Sequence, residues 1–203
     1  MDYHPHGQPH PARRFTPDEL LALSDGANYE LVRGELVARR TGAEASWVGG
    51  QLHLLLANHC KATGAGWVLP SDAGYQCFTD DPARVRKPDV SFVAFDRLAG
   101  LPDGYLRLAP DLAAEVVSSA ETYCEIEDKV DEYLAAGVRL VWVVNPPNRS
   151  IRIHRPDGTV TDLRQADDLT GENVLPGFRC GVADLFAPPS PTHPAAPHRT
   201  GGN

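Results

Sequence analysis

Two acids and a lysine stand where this sequence could do chemistry. Asp89 opens the apolar run PDVSFVAF, and Glu115 sits inside the next such run, PDLAAEVVS; both read as buried strands. Carboxylates at the ends of neighbouring strands can share one divalent ion, because Mg2+ and Mn2+ take hard oxygen ligands and keep waters for reaction. A cation nearby, such as Lys129, would stabilise negative charge developing on a phosphate under attack. The chemistry open to such a set is hydrolysis of a phosphodiester.

Glu115 is the more telling acid, since burying an unpaired carboxylate among AAEVV would be strongly unfavourable. A metal or Lys129 would compensate it. Lys129 lies in the helix that follows, at the margin of an apolar face made by Ile126, Val130, Tyr133 and Leu134, so its stem can run along the core edge toward the strand. Spacing alone equally allows a surface pair with Glu125, four residues earlier. Upstream, Arg84, Arg86 and Lys87 of ARVRKPD precede the Asp89 strand, where phosphates would pass, or else they are solvated loop charges; Arg39 and Arg40 add to the basic surface.

The elements that must position these groups follow from local signals. Thr16, Pro17 and Glu19 start a first helix, with Thr as N-cap and Glu closing the capping box. NYELVRGELVARR alternates around Gly34 as a tight hairpin, one strand ending near Arg33 and the next starting near Glu35. Residues 44 to 63 carry apolar positions at helical spacing. GWVLPSDAGYQCF, PDVSFVAF and PDLAAEVVS read as strands, and Thr122 with Glu125 caps a helix that Gly137 ends. VRLVWVVN and SIRIHR are two further strands around an NPPN turn. The expected order is α, hairpin, α, β, β, β, α, β, β: an α/β fold with a mixed sheet flanked by helices.

At 203 residues the chain suits one domain, over 14–187, between a His- and Pro-rich tail at 1–13 and a Pro-rich tail at 188–203, both expected to be disordered. His4, His6 and His10 in the first tail would bind metal only adventitiously. A net charge of -8 argues against a nonspecific nucleic-acid coat while leaving room for local basic patches. Cys60, Cys77, Cys124 and Cys180 form no C-x-x-C pair and read as buried or idle thiols of a reducing cytosol. With no apolar leader and no run approaching a membrane span, the expected location is the cytoplasm. No phosphate-binding glycine loop and no G-x-S-x-G elbow occur, and Ser118 and Ser119 read as turn residues.

YELVRGELV, RKPDVSFV, PDLAAEVVS and the spacing on to DKVDEYLAAGVRLVWVVNP, taken in this order, resemble the Uma family (type two) of restriction endonucleases, within the PD-(D/E)XK superfamily. The resemblance covers about residues 15 to 187. It implies a restriction-endonuclease-like core with Asp89 as first acid and Glu115 as second. The superfamily's usual lysine would fall on Val117, so the family pattern moves that role to Lys129 in the next helix. Glu30 matches an early acidic position, as a further ligand or water-orienting group, or as an ordinary strand-end carboxylate facing solvent or an arginine. One departure is Ala45, where many members carry a histidine.

The implied activity is a Mg2+- or Mn2+-dependent endonuclease, the ion held by Asp89, Glu115 and the Val116 carbonyl. Its partner would be DNA, its assembly a homodimer, and no membrane is involved. The alternative is a noncatalytic interaction protein that keeps the fold, with Glu115 and Lys129 as a buried structural pair.

Overall fold

A computed structural model describes residues 13–40, 42–119 and 121–189. Most of the two expected tails, with His4, His6 and His10, lies outside the described residues. In chain order the elements are α1 (Pro17–Ala22), β1 (Tyr29–Val32), β2 (Glu35–Ala38), α2 (Ala43–Thr63), β3 (Gly66–Pro70), β4 (Val90–Ala94) and β5 (Leu112–Val116). There follow α3 (Tyr123–Ala135), β6 (Leu140–Asn145), β7 (Ser150–His154), β8 (Val160–Leu163), β9 (Asp168–Gly171), β10 (Leu175–Gly181) and α4 (Val182–Phe186). Among the described residues no helix is long and apolar enough to cross a membrane.

The local signals act where they stand. Thr16 and Thr122 each close a capping box, with Glu19 and Glu125, and so satisfy backbone donors that a helix start leaves open. Arg33 and Gly34 both take positive φ, 51° and 79°, the backbone twist a two-residue hairpin turn requires. Gly64 ends α2 in the left-handed conformation, where a side chain would be strained.

Six strands form one sheet in the order β3-β4-β5-β6-β7-β8, all antiparallel except β5 with β6, which α3 connects. Alternation along the strands divides the core. Val90, Phe92, Ala114, Val116 and Trp142 pack against Val48, Leu52 and Leu56 of α2, while Ala113, Val141 and Val143 pack against Ile126, Val130 and Tyr133 of α3. The β1–β2 hairpin is tied on by Leu31 and Val85, whose backbones exchange two hydrogen bonds of 2.9 and 2.8 Å.

Two expectations change. GWVLPSDAGYQCF is a strand only to Pro70; beyond it the chain is irregular, and Tyr75 makes single bridges to Arg86 and Leu106. The strands after residue 155 are not among the expected elements: β8 and β9 are four residues each, too short for a local signal, and β10 is broken by a register shift between Leu175 and Arg179.

Candidate active site

The site is built by one register. β4 and β5 pair as Val90 with Ala114 and Ser91 with Ala113. One step further along that antiparallel register, Asp89 stands opposite Glu115, and residues opposite one another share a face of the sheet. That face is the one under α3, because Glu115 follows Ala113 by two. The same Pro-Asp start at β5 has another fate. Asp111 falls at the opposite end of the sheet, fully buried, where it accepts from the Ala94 backbone at 2.9 Å and pairs with Arg97 at 2.8 Å.

Every carboxylate oxygen of the facing pair has a donor. Glu115 accepts from Lys129 Nζ at 2.9 Å and from the Tyr133 hydroxyl at 2.7 Å. Lys129 and Tyr133 are one helical turn apart, so both point down from α3 onto the strand end. Asp89 accepts from the Val116 backbone N–H at 2.8 Å and pairs with Arg39 at 3.3 Å. Glu125, the surface alternative for Lys129, is drawn into its cap, accepting from Thr122 N at 2.7 Å and Oγ1 at 2.9 Å. Lys129 instead finds Glu121 at 3.1 Å, and Glu121 in turn accepts from the backbone and hydroxyl of Ser118 at 3.1 and 2.9 Å.

Burial pushes the Glu115 carboxyl up to about 7, aided by the charges of Asp89 and Glu30 and opposed by Lys129 and Tyr133. Burial likewise raises Asp89, against the Val116 hydrogen bond and the charges of Lys129 and Arg39. For Lys129 burial works against the ammonium, but Glu115, Glu30 and Glu121 outweigh it and hold the charge.

Beside this lies a second cluster, to which the upstream basic run goes. Arg84, Arg86 and Lys87 are not solvated loop charges: they are 3%, 7% and 4% exposed. Arg86 pairs with Glu30 at 2.8 Å and Glu132 at 2.6 Å. Arg84 pairs with Asp80 at 2.9 Å, and the Lys87 ammonium donates to the Gly26 carbonyl at 2.7 Å. Pinning the hairpin to this segment forces the burial, since Leu31 and Val85 bring Glu30 beside Arg86. Glu30 faces an arginine, Arg86, with its other oxygen on the Lys87 backbone N–H at 2.7 Å. Burial would raise its pKa, yet Lys129, Arg86 and that N–H bring it below the ordinary value.

Asp89, Glu115, Glu121, Lys129, Glu30, Arg39, Arg40, Arg86 and Lys87 all line one open cleft of about 450 Å³, and Arg84 lies outside it. Among the described residues no three His, Cys, Asp or Glu side chains gather as a ready cage for a metal. The donor chemistry still fits a hard divalent ion. Two carboxylates that burial holds toward the protonated form, Glu115 further through the charges of Asp89 and Glu30 and Asp89 through that of Glu121, would both be relieved by one cation, with backbone oxygen and water completing its shell.

Sequence reasoning missed three members of this set. In the sequence Tyr133 reads only as part of an apolar face, Glu121 carries no signal, and Arg39 reads as part of the general basic surface. Tyr133 was recoverable, because it stands four residues beyond Lys129 on the same helix. Ala45 is buried at the start of α2, and His53, farther along the same wall, keeps a buried Nδ1 without a partner among the described residues. Cys60, Cys77 and Cys180 are held protonated, burial pushing each up to about 11, while Cys124 is exposed rather than buried.

Comparison with known proteins agrees with this architecture. A family model described as "Uma2: Putative restriction endonuclease" matches residues 17–183. A crystal structure of a putative nuclease belonging to DUF820 from Anabaena variabilis ATCC 29413 superposes with a TM-score of 0.72 at 16% identity, covering 85% of this chain and 97% of that one. That likeness is one of fold. No curated protein matches the chain in sequence.

Proposed function

Because this chain belongs to the Uma2 family, whose description is putative restriction endonuclease, we propose that it is a divalent-cation-dependent endonuclease hydrolysing phosphodiester bonds of DNA. The observation that carries this reading is the facing pair Asp89 and Glu115, one partly and one fully buried acid, both held toward protonation, with Lys129 at 2.9 Å from Glu115. Mg2+ or Mn2+ held by Asp89, Glu115 and the Val116 carbonyl would supply a water of lowered pKa and neutralise charge on the phosphate.

The chain's own groups do the rest. Lys129 positions the attacking water or stabilises charge on the phosphate oxygens. Tyr133 holds Glu115 in place through its hydroxyl, fixing the rotamer of the acid. Arg39 and Arg40 line the cleft and receive the flanking phosphates. Arg86 and Lys87 also line it, but their polar groups are committed to Glu30, Glu132 and Gly26, so in this reading they shape the wall and do not grip DNA. Glu30, whose arginine, backbone N–H and nearby lysine hold its carboxyl below the ordinary value, stands outside the ligand set in this reading and supports that wall. A cytoplasmic homodimer belongs to the same proposal, since one site serves one strand of a duplex.

The second reading, a noncatalytic protein that keeps the fold, is favoured by one observation: each oxygen of Asp89 and Glu115 already has a protein donor. A nicking assay separates the two. At low ionic strength, which favours phosphate contact by an acidic protein, supercoiled plasmid with Mn2+ should be nicked by the wild type. Asp89→Ala, Glu115→Ala and Lys129→Ala should each reduce the rate by about 10²-fold or more. Equal nicking by wild type and the triple variant would mark contamination, and a wild type that neither nicks nor binds Mn2+ would leave the noncatalytic reading.

A further inference from the structure

Lys129 is shared between two acids, and only one of them belongs to the facing pair. Its ammonium lies 2.9 Å from Glu115 and 3.1 Å from Glu121. Glu121 stands in the loop between β5 and α3, and its other oxygen is fixed by two donors of Ser118, the backbone N–H and the hydroxyl. Three hydrogen bonds thus hold a loop carboxylate that no sequence signal singles out, and Glu121 and Lys129 both line the cleft.

A cation that took Glu115 would compete with the ammonium for the same carboxylate, and two like charges drawn together on it would repel. Glu30 also attracts the ammonium, but among the described residues Glu121 is the acid besides Glu115 that hydrogen-bonds it, and without that partner Lys129 would leave as the cation arrived. We infer that Glu121 is a positioning residue, a second seat that keeps the Lys129 ammonium in the cleft when a divalent cation takes Glu115. The inference rests on the cation-binding role proposed for Asp89 and Glu115, and it adds what happens to the lysine.

The carboxylate form of residue 121 is needed for geometric reasons. One oxygen serves Ser118 and the other serves Lys129, so both must accept. In Glu121→Gln the side chain has only one acceptor. If the Ser118 N–H and hydroxyl keep it, the amide NH2 is turned toward the ammonium, donor against donor, and the second seat is gone with little change in volume.

The chain contains only three lysines, Lys61, Lys87 and Lys129, which makes the test direct. Lys61 is exposed, Lys87 is buried on the Gly26 carbonyl, and Lys129 is paired. Amine acetylation by a water-soluble succinimidyl acetate, read peptide by peptide by mass spectrometry, then reports each lysine, with Lys61 as the reactive standard and Lys87 as the check that the chain is folded. Mn2+ occupancy is followed separately by its electron paramagnetic resonance.

In wild type Lys129 should stay protected with and without Mn2+. In Glu121→Gln it should stay protected without Mn2+, held by Glu115, and become acetylated about tenfold faster once Mn2+ is bound, the factor expected for losing one charge-assisted hydrogen bond. Protection that survives Mn2+ binding in Glu121→Gln overturns the inference and leaves the cation site standing. Acetylation of Lys129 in Mn2+-loaded wild type overturns it equally. Failure of wild type to bind Mn2+ removes the cation site itself, and the inference with it.

Discussion

Glu30 and Glu115 are equally buried, 2% exposed each, and they line the same cleft, yet they titrate in opposite directions. Glu30 has an arginine at 2.8 Å, a backbone N–H at 2.7 Å and the field of Lys129, which together overcome its burial. Glu115 has a lysine that Glu121 also claims, a neutral hydroxyl, and the repulsion of Asp89 and Glu30. Burial alone therefore does not set the direction in which an acid titrates. The balance of nearby charge does, and the acid left short of positive charge is the one able to gain from a cation.

The sharpest way to break this comparison is to remove each acid and measure stability. Glu30→Ala leaves Arg86 buried with only Glu132 as a charged partner, and should cost about 3 to 5 kcal/mol in urea or thermal unfolding. Glu115→Gln should cost clearly less, because it removes a carboxylate that the fold already holds toward its neutral form. Equal losses would mean that the two clusters are both structural.

The pH dependence sharpens the contrast. Glu115 titrates near 7 in the folded chain against an ordinary 4.5, so between those values the folded state holds a proton that the unfolded state has released. Its contribution to stability is present below pH 4.5 and is lost as pH rises toward 7, with a slope of up to about 1.4 kcal/mol per pH unit. Glu30, with its pKa lowered, contributes in the opposite sense: stability present above 4.5 that is lost as pH falls through its folded value. Unfolding curves across this range should lose the neutral-side slope in Glu115→Gln and the acid-side slope in Glu30→Gln. The reverse assignment would contradict the charge balance described for the two sites.

The smallest expected effect is that of the cation. Mn2+ at a hundredfold its Kd should stabilise the wild type by about 2.7 kcal/mol. Asp89→Asn should abolish that gain and Glu30→Gln should retain it, as read from the thermal midpoint with and without Mn2+. A gain that vanishes in Glu30→Gln would place Glu30 among the ligands after all.

Much of this protein is written locally. The capping boxes at Thr16 and Thr122, the Arg33-Gly34 turn and the apolar runs around Asp89 and Glu115 fix helices, hairpin and strands through neighbours a few residues apart, so they can be read from the sequence. The family could be read too, because its motifs keep their order along the chain, and residues 17–183 match it. What the sequence could not decide is which charge meets which. Pro-Asp precedes both β4 and β5, and only antiparallel pairing sends Asp89 to Glu115 and Asp111 to the other end of the sheet. A run such as ARVRK looks the same whether water or acid surrounds it. Arg86 finds its partners 56 residues back and 46 residues ahead, at Glu30 and Glu132. Hydrophobic patterning places the strands, but the environment of a charge is set by whatever the folded chain brings within about 4 Å of it, at a distance in sequence that no local pattern encodes.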